Sequence, residues 1–472
     1  MADMTLLWHD YETWGINPRR DRPAQFAALR TDSELEEVGE PIMLYCRPAD
    51  DFLPHPEAAM LTGISPQETA AKGLNEASFF GRINTAFSEP GTCGVGYNSI
   101  RFDDEVTRFG FYRNFIDPYA REWQNGNSRW DIIDLVRLAY ALRPDDINWP
   151  QKKDGRVSFR LEDLTAANGI EHNGAHDALS DVRATIALAR LIKELKPRLY
   201  AYYFNLRSKH EAARVLDLSQ HGVVLHVSGM YPTEQGCIAP VVPLLQHPRN
   251  KNEMIVYDLR RDPQNLLHMT VDEMEENLYT RNDDLPEGVE RIALKGVHLN
   301  KSPALAPINT LTPELAEQWQ IDWQQVEQHR QQLLTDPTLM TRLTELYLRV
   351  PDTGILDVDT ALYTGFISNN DRRLCDTLLR KSPEQLAEWL PDFEDERLRP
   401  LYFRYRARNW PETLNEKETD QWRQFREARL LAGEFGNEFT LHKYQHILED
   451  MLQQGVPEDR QGLFRRLVEW VQ

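Results

Sequence analysis

The chain has 472 residues, 41% hydrophobic and 10% aromatic, which supplies several apolar cores and excludes a disordered polypeptide. A formal charge of −20, from 54 basic and 74 acidic residues, excludes a polyanion-binding exterior but leaves room for a local basic cleft. Cys46, Cys93, Cys237 and Cys375 stand far apart without a Cys-x-x-Cys pair, so neither a zinc cluster nor a disulfide framework is expected. The start, Met1-Ala2-Asp3-Met4-Thr5, is not that of a signal peptide, and no apolar run is long enough to span a bilayer. The expectation is a soluble, cytoplasmic protein with no membrane association.

The first predicted element is a strand through Leu6-Leu7-Trp8-His9-Asp10-Tyr11-Glu12-Thr13, stopping near Gly15. Successive strand side chains alternate faces, so Asp10 and Glu12 project together and Tyr11 points to the structural side. Two acids side by side at the end of a buried strand repel, which calls for a hard divalent cation between them. Strands are next predicted at Ile42–Cys46 and Cys93–Tyr97. Between them Ser65-Pro66-Gln67-Glu68 predicts a helix start, with Ser65 as cap and Glu68 closing a capping box. Leu179, Val182, Ile186 and Ala189 recur at helical spacing, and Pro197 ends that helix. Mixed strands and helices make residues 1–196 an α/β domain.

Residues 197–350 change character. An aromatic and basic helix around Tyr200–Arg214 precedes short strands predicted at Gly222–Met230, Met254–Leu259 and Ile292–Leu299. Pro, Gly and Asn turns between them suggest a small β barrel or sandwich. Helices follow, one opened by Thr312-Pro313 and one capped by Asp322. Pro351-Asp352-Thr353-Gly354 is the candidate linker, and residues 351–472 are predicted to be helical almost throughout, with a cap at Ser382-Pro383. No internal repeat is evident.

Two further acidic sites accompany the first strand. In Gly96-Tyr97-Asn98-Ser99-Ile100-Arg101-Phe102-Asp103-Asp104-Glu105, acids open a helix, where they also complement its dipole. The dipole accounts for Asp104 and Glu105 better than for Asp103, which a strand–loop–helix crossover can aim back at the sheet. In Asn173-Gly174-Ala175-His176-Asp177-Ala178-Leu179-Ser180-Asp181, His176 and Asp181 would lie about 140° apart on a continuous helix. They converge only if His176 stands in the loop ahead of it, with Asp177 as a helix-start acid.

The ordered set Asp10, Glu12, Asp103, His176 and Asp181 resembles the acidic-histidine branch of the DEDD exonuclease superfamily. Within it, the bacterial exonuclease I family is most similar. The resemblance rests on His9–Thr13, Asp21–Phe26, Arg101–Arg108, Phe159–Glu162, Asn168–His172, His226–Met230 and Tyr405–Asn409, and so covers essentially the whole chain. It implies a ribonuclease H-like α/β exonuclease domain, then an SH3-like β domain and an all-α C-terminal domain, arranged as a clamp. The implied activity is processive 3′→5′ digestion of single-stranded DNA to 5′-mononucleotides, in DNA repair and recombination. Two Mg²⁺ ions, with Mn²⁺ as a possible substitute, would be held by Asp10, Glu12, Asp103 and Asp181, and His176 would be the general base.

Strand handling needs cations for phosphates and flat rings for bases, and Arg108, Tyr119, Trp123, Arg137, Phe159, Arg160 and Lys209 interleave the two. Glu12 is also expected to touch substrate. The resemblance further implies docking of the acidic C-terminal tail of single-stranded-DNA-binding protein, with Arg143 and Tyr202 as pocket residues, and a monomeric enzyme. The alternatives are an exoribonuclease of the same superfamily and a non-catalytic single-stranded-DNA-binding scaffold. The length of the chain argues against the first, and the intact five-residue set against the second.

Overall fold

The computed structural model describes residues 4–172, 177–350 and 357–471. The chain forms two compact units, one of Met1–Ser128, His172–Ile186 and Thr353–Gln472, the other of Arg129–Glu171 and Ala187–Asp352. The predicted linker 351–354 lies outside the described residues.

In the first unit β1 (Thr5–Thr13) is flanked by β2 (Pro23–Thr31), which pairs with β3 (Ile42–Tyr45), and by β4 (Thr92–Gly96). β1 runs antiparallel to β2, with Asp10 opposite Ala27 and Glu12 opposite Gln25, and parallel to β4 only from Thr5 to Trp8. Its end from His9 to Thr13 therefore projects past β4, and this overhang carries the two acids. β2 was not anticipated. It is buried on both faces and rich in alanine, so it shows no alternation, and its proline occupies the first position, where a strand tolerates one. β5 (Ser128–Asp131) ends the sheet order, and the chain leaves this unit after Ser128.

Ser65 caps the helix Pro66–Lys72 as predicted, accepting from the Glu68 N–H at 3.2 Å. The Glu68 carboxylate goes instead to Lys72 Nζ at 2.8 Å, a better partner for an exposed carboxylate than the cap amide. One core packs Leu7, Tyr11 and Phe26 of the sheet against Phe79, Phe80 and Ile83 of the helix Glu76–Phe87 and Val106 of the helix Asp103–Arg113. Two more cores bring in the C-terminal helices. Phe109, Tyr112 and Phe115 pack with Leu398, Leu401 and Tyr405, while Trp14, Ala24 and Ala59 pack with Tyr444, Phe464 and Leu467. The C-terminal segment is helical as expected, and the caps at Ser382, Thr312 and Asp322 form.

The second unit holds an antiparallel sheet in the order β10-β6-β7-β8-β9: β6 (Val224–Val227), β7 (Ile238–Gln246), β8 (Glu253–Asp258), β9 (Leu294–His298) and β10 (Ala304–Pro307). Three strands fall within the predicted ranges or one residue from them. β7 was missed because Pro240 and Pro243 interrupt it, the ladder register shifting between Pro243 and Leu245. The helix expected around Tyr200–Arg214 is two, Pro197–Asn205 and Lys209–Val215, separated by a turn at Leu206–Ser208. Among the described residues no helix is long and apolar enough to cross a membrane.

Candidate metal centre

The overhang of β1 sets the geometry. Asp10 is half-buried and Glu12 buried on one face, while Tyr11 turns into the core, its hydroxyl 2.9 Å from Thr107 Oγ1. Past β4 the chain makes a tight turn through Asn98, at φ 62°, and enters the helix Asp103–Arg113. This turn needs glycine at 96, where a Cβ would stand 2.6 Å from Ser99 Cβ and 2.9 Å from the His9 carbonyl oxygen. Gly96→Ala is expected to cost about 1–3 kcal/mol of stability, the overpacking range, measurable by urea unfolding, and to lower activity by displacing Asp103.

The three acids of the next helical turn serve three ends. Asp103 Oδ1 accepts from the Tyr11 N–H at 3.1 Å, tying it between Asp10 and Glu12. Asp104 is buried against Arg121, with His9 Nε2 4.0 Å away. Glu105 accepts from Arg108 at 2.9 Å and from the Tyr363 hydroxyl at 2.7 Å. Asp104 and Glu105 are therefore members of buried ion pairs rather than solvated acids at a helix end. Their charge pattern in the sequence looks the same in either case. His9, pushed down to about 4 by burial, is neutral.

Asp181 arrives on the helix Ala178–Leu195, where Asp177 Oδ2 accepts from the Ser180 N–H at 3.2 Å, a helix-start role as expected. Gln25 of β2 accepts from the Ala178 N–H at 3.4 Å and so ties the helix start to the strand beside Glu12. Ligand atoms of Asp10, Glu12 and Asp181 all lie within 4.8 Å of one another. Asp103 is outside that trio but close enough to act on it. Burial, then Asp103, Glu12 and Asp181, hold the Asp10 carboxyl well above its usual range. Burial, then Asp181, Asp103 and Asp177, push Glu12 up to about 8. Acids gathered closely enough to raise the proton affinity of Asp10 and Glu12 fit a divalent cation, because its charge removes the repulsion and all-oxygen donors suit a hard ion. His176 lies outside the described residues.

Two partners escaped the sequence reading. Gln25 is one, a buried polar residue inside the apolar run Ala24–Leu29, and that interruption was the available signal. His172 is the other, with Nε2 2.6 Å from Asp181 Oδ1. It stands nine residues before Asp181, a spacing with no motif meaning.

The candidate strand-binding residues fall in both units. In the first, the Arg108 guanidinium is buried and taken up by Glu122 at 2.7 and 2.8 Å, by Glu105 and by Tyr363, and it lies 5.3 Å from the ring centre of half-buried Tyr119. In that arrangement Arg108 orders its neighbours instead of offering its donors to a phosphate. Trp123 is 65% exposed. In the second unit Arg137 donates to Asp134 at 2.8 Å and lies 5.9 Å from the Phe159 ring, which packs with Tyr140 and Trp149. Arg160 is exposed and paired with Glu162, and Lys209 is exposed at the start of its helix. Arg143 is exposed and donates to the Thr310 carbonyl at 2.9 Å. Burial pushes the Tyr202 hydroxyl up to about 12.

Three family models match in succession: "Exonuclease" over residues 7–189, "Exonuclease I SH3-like domain" over 207–349 and "Exonuclease I C-terminal domain" over 356–472. Exodeoxyribonuclease I of Escherichia coli K12 is 47% identical over 451 residues, 95% of this chain and 94% of that protein. The solved exonuclease I from Methylocaldum szegediense is 48% identical with a TM-score of 0.95, covering 99% of each chain. A zinc-bound E. coli exonuclease I in complex with single-stranded DNA is 45% identical with a TM-score of 0.93, covering 99% of this chain and 98% of the other. Likeness of this extent, through all three matched regions and around a converging set of carboxylates, means that the chain belongs to the exonuclease I family of the DEDDh exonucleases.

Proposed function

We propose that the chain is a processive 3′→5′ exonuclease that degrades single-stranded DNA to 5′-mononucleotides, acting in repair and recombination in the cytoplasm. The observation that carries the proposal is the convergence of Asp10, Glu12 and Asp181 at the free end of β1, in a member of the exonuclease I family. A divalent ion and a single strand bound in the E. coli relative support the same use of the site here.

Two Mg²⁺ ions, for which Mn²⁺ can substitute, would supply Lewis acidity at the scissile phosphate and a water acidic enough to attack it. Asp10, Glu12, Asp103 and Asp181 would hold them, Asp103 kept in place by the Tyr11 N–H. His176, as a neutral imidazole, takes the proton of the attacking water. Glu12 also meets the terminal nucleotide. Exposed Trp123 gives a base a surface to stack on, and Arg137, Phe159, Arg160 and Lys209 are the strand-contact residues of the second unit. Arg108 and Tyr119 complete the set, Arg108 acting by ordering its neighbours. Trp123→Ala is expected to weaken strand binding by about 1–3 kcal/mol, the worth of one stacked base, read by fluorescence anisotropy in chelator.

The three-domain division at 1–196, 197–350 and 351–472, supported by the three successive family matches, belongs to the same proposal, as do the monomeric state and the docking of a single-stranded-DNA-binding protein tail at Arg143 and Tyr202. The test is a matched digestion of single-stranded DNA, duplex DNA and single-stranded RNA with Mg²⁺ or with chelator. Preference for single-stranded DNA, abolished by chelator, is expected. Preference for RNA, or activity that survives chelation, would overturn the reading.

A further inference from the structure

We propose that His172 is a positioning residue for the metal centre, fixing the one carboxylate of the converging trio that does not come from β1. The inference rests on the reading of Asp10, Glu12 and Asp181 as metal ligands. Asp10 and Glu12 stand on a strand whose backbone is held by its ladder with β2, and Asp103 is tied to that strand through the Tyr11 N–H. Asp181 has no such strand behind it. It projects from the first turn of the helix Ala178–Leu195, where the hydrogen bond from Ala178 to Gln25 anchors the backbone and leaves the side-chain torsions to be set by what the carboxylate meets.

His172 Nε2 meets that carboxylate, 2.6 Å from Oδ1, slightly closer than the roughly 2.7–2.9 Å of a charge-assisted N–H···O⁻ hydrogen bond. The histidine side chain is 6% exposed and that of Asp181 21%, so the ring lies on the protein side of the carboxylate. The contact also ties residue 172, just ahead of the segment that carries His176, to the helix that follows it. Carboxylates that ligate a cation are themselves held by hydrogen bonds, and removing such a partner typically weakens metal binding about 10–100-fold. His172 thus acts through Asp181, distinct from the proton-accepting role given to His176.

The test compares metal-stripped parent, His172→Ala, His172→Gln and Asp181→Asn. Mn²⁺ affinity is read by calorimetry without DNA, digestion is followed across metal concentrations, and oligonucleotide binding is measured in chelator. His172→Ala should raise the Mn²⁺ dissociation constant about 10–100-fold and move the metal concentration for half-maximal digestion by a similar factor. Saturating metal should restore most of the rate, and strand binding in chelator should stay at the parent level. His172→Gln, whose amide can donate to the same oxygen, should recover part of the affinity, and it carries the comparison if the alanine variant melts early. Parent-like Mn²⁺ affinity in His172→Ala, or a rate lowered equally at every metal concentration, would overturn the inference while leaving the metal centre standing. A parent that binds no Mn²⁺, or an Asp181→Asn variant with parent affinity, would overturn the metal centre and the role of His172 together.

Discussion

Replacing Asp10 by asparagine is expected to lower digestion of single-stranded DNA by about 10³-fold or more, the loss of several kcal/mol of transition-state stabilisation. Under chelator the same substitution should raise the melting temperature. Burial and three neighbouring acids hold the Asp10 carboxyl well above its usual range, so its charge opposes folding until a cation arrives. An isosteric neutral amide removes that opposition. Opposite signs for activity and stability separate loss of chemistry from misfolding, and they are read by a timed nuclease assay beside a thermal melt. His176→Ala should differ in kind, losing about 10²–10⁴ in turnover, the general-base scale, while binding DNA normally.

The second large effect lies in a buried ionic cluster of the first unit. Asp359 is 2% exposed and accepts from Arg408 and from Arg429 at 3.2 Å, with Arg404 at 3.2 Å and Arg22 at 3.6 Å. Arg408 also reaches Asp51 at 2.7 Å, and Arg22 reaches Glu76 at 3.2 Å. Arg22 lies one residue before β2, and its carbonyl accepts from the Trp14 N–H, just beyond the end of β1. Asp359→Ala would leave several guanidinium groups short of their counter-charge, and breaking a buried pair in this way typically costs about 3–5 kcal/mol. Urea unfolding of parent and variant measures it. The cluster also sets an acid limit. Burial raises the Asp51 carboxyl, but Arg408, Arg429 and Arg22 outweigh it and hold it at about 2. Burial likewise opposes ionisation of Asp359, and Arg408, Arg404 and Arg22 overcome it, leaving it well below the usual range. In the unfolded chain such carboxyls titrate near about 3.9. Their contribution is therefore whole above that value and is lost as pH falls toward 2. Melting temperature should drop through this window, and the drop should shrink in Asp359→Ala.

The site was more legible in the sequence than the scaffold beneath it. Asp10 and Glu12 follow from strand alternation, and the helix starts at Ser65, Thr312, Asp322 and Ser382 follow from local cap chemistry, because both depend on residues a few positions apart. β2 and β7 gave no such signal. One is buried on both faces, and the other is interrupted by prolines, with a register shift just after the second. The ion pair between Asp51 and Arg408 joins positions 357 residues apart, beyond any periodicity. His172 was hidden for a different reason. It stands four residues before the stronger-looking His176 in the sequence, and only the structure shows that its ring reaches Asp181.

The most direct measurement of the central claim is digestion, with Mg²⁺, of three 5′-labelled substrates: a single strand with a free 3′ end, the same strand blocked at its 3′ end, and the matching blunt duplex. The expected result is shortening of the free single strand alone from its 3′ end, with few intermediate lengths as processive digestion requires, absent in chelator and absent for Asp10→Asn. Cutting of the blocked strand, digestion of the duplex, or undiminished shortening in chelator would contradict it.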